Sequence, residues 1–364
     1  MDSRAGEGAE AGALVRVGAV HPVSARAPSS TASRRRHERS STWTLPPRTA
    51  YLEAGAPPGP GQSLPYPSGV RTPPPPTYHR ILLANLVAQV AIIVSGGLVR
   101  LTGSGLGCPT WPECVPGSYV PVPEQAEGFH KIIEFGNRTL TGVLGIIAIL
   151  AVVAVWKWAP VRRLKTAAVV VLAGVVFQAI LGGVTVLTEL HPITVAAHFL
   201  VSAALVSAAA YLWFARAETD GEPRPLVPEL VRRVAWVTCA VAGIVLVLGT
   251  VVTGSGPHSG DADAPARFGF DPRTISWLHA DAVMLFIGLV VAVWLATRLS
   301  PAPASVSRAW RTVLLVTFAQ GAIGYVQYLT DLPEVLVLAH MLGAAALVVA
   351  LTNGVVALRT ITQD

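Results

Sequence analysis

The chain has 364 residues, of which 52% are hydrophobic and 13% are charged, and its formal net charge is +6. The charged fraction is about half of that in soluble domains, which excludes an ordinary soluble protein. The net positive charge does not indicate nucleic-acid binding, because arginines beside apolar segments more often reflect the orientation of the chain in a membrane.

The first 78 residues differ in composition from the rest of the chain. They contain 13 of the 29 prolines and nine arginines, including the run Arg34, Arg35 and Arg36. Such a segment cannot bury enough apolar surface to offset its ordering entropy. We therefore expect residues 1–78 to form a disordered cytoplasmic tail. Contact of the arginine run with anionic lipid is the less favoured alternative.

Eight apolar segments follow the tail, each close to the roughly 20 residues that cross a bilayer. They cover approximately residues 80–101, 130–157, 166–188, 191–215, 231–253, 273–298, 308–330 and 334–358. Basic residues cluster after the second, fourth and sixth segments, whereas residues 102–128 contain no lysine or arginine. The positive-inside rule then places both termini in the cytoplasm. We predict an all-α polytopic protein of the cell membrane with eight transmembrane helices.

One stretch of the sequence occurs twice. Residues 178–203 and 320–345 are offset by 142 positions, and 11 of 26 aligned positions are identical without a gap. The informative matches are polar or special residues, namely Gln178/Gln320, Gly182/Gly324, Thr188/Thr330, Glu189/Asp331 and His198/His340. An offset of four segments predicts two parallel-repeat four-helix bundles, related by an axis along the membrane normal. We assign 79–216 to the N-terminal half, 217–230 to a cytoplasmic linker and 231–360 to the C-terminal half.

Histidines inside the apolar segments are candidates for a haem site. His198, His279 and His340 each lie six or seven residues into a segment, which is roughly 10 Å below the outer surface of the membrane. Two imidazoles at one depth on two helices of a bundle suit bis-histidine haem ligation, so we pair His279 with His340. Hydrogen-bonded core histidines are the less favoured interpretation. A zinc site is disfavoured because no carboxylate or thiol lies at that level.

The N-terminal half lacks one of these histidines. The offset of 142 residues places Asn137 opposite His279. Asparagine is a poor haem ligand, so a haem in this half would take one axial ligand from His198. Its other axial position would be empty, or filled by His130 or water. An open position suits a haem that arrives as a substrate and leaves as a product.

An acidic residue belongs to the N-terminal half only. Glu134 shares a helix face with His130 and Asn137, and Ser276 stands at the matching position of the other half. A carboxylate inside a membrane span is costly unless it pairs or acts in chemistry. We interpret Glu134 as a catalytic acid, and the alternative is an ion pair with Arg138.

Two of the three cysteines lie in the first outer loop. Cys108 and Cys114 are six residues apart, whereas Cys239 lies inside the fifth segment, where a small apolar residue would serve. The outer side of a membrane is oxidising, which favours a disulfide between Cys108 and Cys114. A structural link is the favoured interpretation, and a redox-active pair is the alternative.

The string GGLVRLTGSGLGCPTWPEC, the EFGNR motif of the second segment and the three histidines resemble the haem A synthase family over residues 80–358. Members of this family convert haem O into haem A by oxidising the C8 methyl group to a formyl group in successive hydroxylations. The resemblance implies a haem b cofactor held by His279 and His340, a substrate haem near His198, and a catalytic role for Glu134. The cysteine pair also matches. Asn137 is a departure, since many members carry histidine there.

The resemblance implies haem O as the substrate. Because so apolar a substrate favours a direct handover, a haem O synthase, which is a protohaem farnesyltransferase, is the candidate partner, although the sequence itself does not show that it binds. The sequence identifies no electron-transfer partner and leaves homo-oligomer formation open. Three other functions are considered: a di-haem electron-transfer cytochrome, a transporter built from repeats, and an oxidase-assembly scaffold without catalysis. The single buried acid argues against the first, and the absence of paired broken helices argues against the second. Asn137 is the feature that favours the scaffold.

Overall fold

The computed structural model describes residues 74–159, 161–258, 260–261 and 266–362. Their eight helices are α1 (Pro76–Leu101), α2 (His130–Trp158), α3 (Arg162–Leu187), α4 (Pro192–Phe214), α5 (Glu229–Ser255), α6 (Pro272–Leu299), α7 (Ala304–Leu329) and α8 (Glu334–Val356). All eight are long and apolar enough to cross a membrane. The predicted all-α polytopic fold is therefore confirmed, since a backbone in lipid must satisfy its own hydrogen bonds and does so as a helix.

Most helices extend beyond the predicted apolar segments. Helices α3 and α7 each begin four residues before the predicted spans. The spans are bounded by hydropathy, which leaves out the charged and polar residues in the first turn of these helices. Helix α1 already begins at Pro76, inside the range that we assigned to the tail. The rest of the predicted tail, residues 1–73, lies outside the described residues.

Proline and capping residues fix where two of the histidine-bearing helices begin. In α6, the Asp271 carboxylate accepts hydrogen bonds from the backbone N–H of Thr274 at 2.8 Å and from its hydroxyl at 2.6 Å. These bonds lower the pKa of Asp271, and Pro272 occupies the first helical position, where no N–H is needed. Helix α4 begins in the same way with His191 and Pro192. The start of each helix sets the height of its histidine.

The two halves meet along four helices. In the N-terminal half, α1 contacts both α2 and α4, and α3 lies between α2 and α4. Between the halves, α4 contacts α8, α1 contacts α8 and α4 contacts α5. Because α1 and α4 correspond to α5 and α8 in the repeat, these contacts are interchanged by a twofold relation. Small and branched side chains fill this interface, including Val206, Ala209 and Ala345.

The backbone repeats along with the sequence. Glu189 and Leu190, between α3 and α4, have φ angles of 52° and 56°. Asp331 and Leu332, the matching residues between α7 and α8, both have φ angles of 59°. Left-handed conformations are costly for residues with a Cβ atom. Both halves therefore retain the same strained turn, which brings each following helix back against its predecessor.

Two short strands were absent from the sequence prediction. Strand β1 (Glu222–Pro225), within the predicted linker, pairs in antiparallel register with β2 (Arg359–Thr362). Glu218 joins the same region, because its carboxylate accepts hydrogen bonds from Arg163 at 2.9 Å and from Arg359 at 3.2 Å. The short, proline-containing sequence of β1 has no strand signal of its own, so this pairing depends on contacts between distant segments.

Candidate haem site and its outer loop

The histidines of α4, α6 and α8 share an unusual environment. His198, His279 and His340 lie in the second turn of their helices and are half-buried. The Nδ1 atom of each is buried, and that of His198 has no hydrogen-bond partner among the described residues. The accessible part of each ring therefore lies away from Nδ1. The backbone carbonyls of Val245 and Gln320 lie beside the rings of His279 and His340, so the interpretation of these two as hydrogen-bonded core histidines stays open.

A glycine on the neighbouring helix leaves room for each imidazole. The distances from a Cβ atom placed on the glycine to the imidazole Cε1 are 3.3 Å for Gly182–His198, 3.4 Å for Gly249–His279 and 3.1 Å for Gly324–His340. Any larger residue would crowd the ring. Gly182 and Gly324 appear as matches in the repeat, but the sequence did not reveal their role. The repeat did not indicate a role for Gly249, because α1 and α5 are less similar in sequence than the later helices of the two halves.

Two glutamines hold the histidine-bearing helices in place. The side-chain amide of Gln178 donates to the backbone carbonyl of His198 at 2.8 Å. Gln320 donates to the carbonyl of His340 at 2.7 Å. Gln178 also bonds Ser202. The repeat-matched glutamines thus fix the helix backbone at each histidine, which restrains the height of the ring.

The C-terminal half brings two of the histidines together. His279 and His340 are close enough for their charges to interact. No group of three or more His, Cys, Asp or Glu side chains suited to a metal ion occurs in the part of the chain that the structure describes. Two imidazoles on separate helices, each backed by a glycine and lying beside a backbone carbonyl, fit the axial ligand set of a haem, because ligating histidines commonly direct their other ring nitrogen to a carbonyl.

The N-terminal half differs at the matching position. Asn137 accepts a hydrogen bond at its side-chain oxygen from the Ser95 hydroxyl, at 2.7 Å. The TGSG motifs that end α1 and α5 align Leu98 with Gly249. At the matched positions this half thus has Asn137 and Leu98 where the other half has His279 and Gly249, and only His198 has an imidazole backed by a glycine.

Glu134 is buried, and both of its carboxylate oxygens have partners. One oxygen accepts the backbone N–H of Cys108 at 2.6 Å. The other accepts two N–H groups of Arg138, at 2.6 Å and 3.1 Å. The ion pair considered as an alternative is therefore present. The carboxylate also binds the loop before α2, a contact that the sequence did not predict.

Arg138 and its neighbours hold this loop against α2. Its guanidinium donates to backbone carbonyls of the loop at Cys108, Thr110 and Glu113, at 2.7, 3.0 and 3.3 Å. The predicted disulfide between Cys108 and Cys114 is present, and both half-cystines are buried. A charged pair within helix α2 thus becomes the support of a disulfide-closed loop. The one signal of this role in the sequence is the arginine four residues after the acid.

His130, a candidate second ligand, lies at the first position of α2. Its Nδ1 is 2.8 Å from the hydroxyl of Ser104, and its ring packs on Phe129 with 4.1 Å between centroids. Only Nε2 remains for any other role. The assignment of His130 as a ligand stays a prediction.

A half-buried arginine joins the two halves on the side of the disulfide loop. Arg100, at the end of α1, donates to the carbonyl of Thr253 at 2.8 Å and to that of His258 at 2.5 Å. Nearby, the N–H of Gly105 donates to the carbonyl of Gly260 at 3.0 Å. Burial lowers the pKa of His258; the charges of Arg100 and Arg267 add to this effect, and Glu334 opposes it. The arginine of the GGLVRLTGSG motif therefore links the halves.

Comparison with known proteins identifies relatives of the helical region. The sequence model of a family described as cytochrome oxidase assembly protein, COX15-CtaA, matches residues 79–352. A haem A synthase of Halalkalibacterium halodurans is 35% identical over 144 residues, which cover 38% of this chain and 46% of that protein. A haem A synthase of Lysinibacillus sphaericus is 28% identical over 278 residues, which cover 71% of this chain and 88% of that protein.

A third relative has a different name. The protohaem IX farnesyltransferase of Halobacterium salinarum is 28% identical over 200 residues, which cover 48% of this chain and 42% of that protein. The chain thus spans under half the length of this relative and of the Halalkalibacterium protein, at 42% and 46%.

The contact between the loop and α2 predicts the effect of a single methyl group. A Cβ atom on Gly107 would overlap the backbone of His130 and Lys131, so Gly107→Ala should displace the loop at a cost of about 1–3 kcal/mol. The measurement is the rate at which a water-soluble phosphine reduces the buried disulfide. We expect a faster rate in Gly107→Ala and an unchanged rate in Gly142→Ala, because a Cβ on Gly142 meets nothing within 4 Å. Equal rates in both variants would contradict this account.

Proposed function

The chain belongs to the family of cytochrome oxidase assembly proteins, COX15-CtaA, and we propose that it is a haem A synthase that oxidises the C8 methyl group of haem O to a formyl group. The observation that carries the proposal is the family match over residues 79–352, which contains both the His279–His340 pair and the altered N-terminal site. Successive hydroxylations of the methyl group, followed by loss of water, give the formyl product.

We propose that the C-terminal half holds a haem b cofactor through His279 and His340. The backing glycines and the backbone carbonyls of Val245 and Gln320 beside the two rings support this assignment. When bound, such a haem supplies one-electron transfer chemistry. The protein fixes the ring planes through Gly249 and Gly324 and the helix height through Gln320.

The N-terminal half is our proposed substrate site. His198 offers one imidazole, and Asn137, bonded to Ser95, replaces the second. Haem O would bind here as the substrate, reached from the lipid. Glu134 is the proposed proton acceptor or donor near the methyl group, because a buried carboxylate can be tuned for proton transfer. Its bonds to Cys108 and Arg138 support a second role, in which it positions the disulfide loop.

We place the protein in the cell membrane with both termini in the cytoplasm, following the basic residues after α2, α4 and α6. The proposed supplier of the substrate is a haem O synthase. A segment similar to this chain within a protein named protohaem IX farnesyltransferase supports that link. A homo-oligomer is compatible with this arrangement.

The pigments of a defined membrane test the activity. We would express the chain in a membrane that contains haem O but no haem A, extract the haems and separate them by chromatography. Haem A or its hydroxymethyl precursor is the expected product. Recovery of haem b with untouched haem O would instead favour the electron-transfer cytochrome or the scaffold.

The cofactor assignment has a spectroscopic consequence. His340→Ala should abolish the low-spin spectrum of the bound haem, because one of its two axial imidazoles is lost. Added imidazole should restore part of the signal. His191→Ala is the control, since His191 is an exposed capping residue of α4. An unchanged spectrum in His340→Ala would refute the assignment.

The two roles of Glu134 separate in a conservative variant. Glu134→Gln keeps one acceptor oxygen for the N–H of Cys108 and turns its amide nitrogen, which cannot accept a hydrogen bond, toward Arg138. It cannot transfer a proton, so conversion of haem O should fall about 10²-fold or more. The bound haem b should be retained, and the disulfide should be reduced more slowly than in Arg138→Gln. Arg138→Gln is the matched comparison, because it loosens the loop and leaves the acid. Near-normal conversion by Glu134→Gln would restrict this residue to positioning.

A further inference from the structure

A long apolar groove runs between the two halves. It has a volume of about 890 Å³ and is bordered by α1 on one side and by α7 and α8 on the other. Its lining is almost entirely aliphatic, including Leu86, Ala91, Leu98, Leu342 and Ala346. Among its lining residues, Ser95, Thr312 and Asn353 carry polar side-chain groups.

The length of the groove restricts what it can hold. Its wall on α8 extends from Leu338 to Asn353, about 22 Å at 1.5 Å per residue, and on α1 about 14 Å separate Ser95, near one end, from Leu86. A farnesyl chain has twelve carbons in its main chain and extends over roughly 15 Å at about 1.3 Å per bond. The groove is therefore long enough for one such chain lying parallel to the helices.

The polar residue on the α1 wall is connected to the proposed substrate site. Ser95 lines the groove and donates its hydroxyl proton to the side-chain oxygen of Asn137 at 2.7 Å. The amide nitrogen of Asn137 retains its two N–H groups for other acceptors. In haem O, the farnesyl chain joins the porphyrin through a carbon that bears a hydroxyl group. A hydrogen-bond donor next to an apolar groove matches that junction.

We infer that this groove holds the farnesyl tail of haem O, with Ser95 and Asn137 at the hydroxyl-bearing end of the tail. The inference rests on the proposed function. The inference assigns Asn137 a function that His279, the matching residue of the C-terminal half, does not have. Asn137 recognises the side chain of the substrate, and the iron has its protein ligand in His198.

The physical role of the groove is positioning. An apolar tail gains little by leaving lipid for an apolar protein surface, so contact and fit decide where it lies. A tail fixed between α1 and α8 restricts rotation of the porphyrin about the axis perpendicular to its plane. Such orientation selects one methyl group among several similar ones, and an enzyme that oxidises a single methyl position needs that selection.

The test blocks the groove and compares two haems. Ala346→Trp and Ala91→Trp fill it from opposite walls, and Ala292→Trp on the exposed surface of α6 is the control. Haem O and protohaem, which has a vinyl group in place of the tail, are titrated into protein that retains its C-terminal haem. We expect both groove variants to bind haem O about tenfold more weakly and protohaem unchanged. The retained C-terminal haem spectrum verifies the fold of each variant.

Asn137→Leu separates recognition of the side chain from ligation of the iron. We expect about tenfold weaker binding of haem O and no change for protohaem. Equal losses for both haems would make Asn137 part of the porphyrin or iron site and would overturn its assigned task.

Two other results overturn the groove assignment. If the groove variants bind haem O normally but lose a co-purifying phospholipid, the groove holds a lipid acyl chain. If they convert haem O at the normal rate and at the same methyl group, the tail lies elsewhere while the proposed function stands. Failure of the unmodified protein to bind haem O or to form haem A would instead reject the proposed function together with the inference.

Discussion

The structure depends on imidazole rings that lie inside a membrane bundle, each with its Nδ1 atom buried. Such a group is costly in an apolar medium, and the surrounding sequence is arranged to hold it. A glycine on the adjacent helix receives each ring, and for two of the three rings a glutamine bonds the backbone carbonyl of the histidine itself. The strained turns before α4 and α8 bring these helices back against the glutamine-bearing ones.

The two halves share one helical architecture but differ in the residues of their sites. The C-terminal half keeps the paired His279 and His340. The N-terminal half keeps His198 but has Asn137 and Leu98 where the other half has a histidine and a glycine. A fixed cofactor in one half and an exchangeable substrate in the other would require this kind of difference.

The disulfide loop connects the chemistry of the N-terminal half to its surface. Glu134 and Arg138 lie in α2, yet most of their hydrogen bonds reach the loop that contains Cys108 and Cys114. A buried ion pair is weak evidence for stability alone, because desolvation offsets much of its attraction. The main contribution of this pair is to hold the position of a loop whose own sequence is rich in glycine and proline.

The sequence by itself determined the eight helices, the repeat, the heights of the three histidines and the disulfide, because hydropathy, spacing and helical rise fix these features locally. It also favoured a catalytic role for Glu134 over an ion pair with Arg138, and it did not show that this pair holds the disulfide loop. The tertiary structure decided which atoms meet. The loop partners of Glu134, the glycine behind His279, the bond from Ser95 to Asn137 and the pairing of β1 with β2 all join residues that no local pattern links. The groove between α1 and α8 belongs to the same class, because it exists only where the two halves pack against each other.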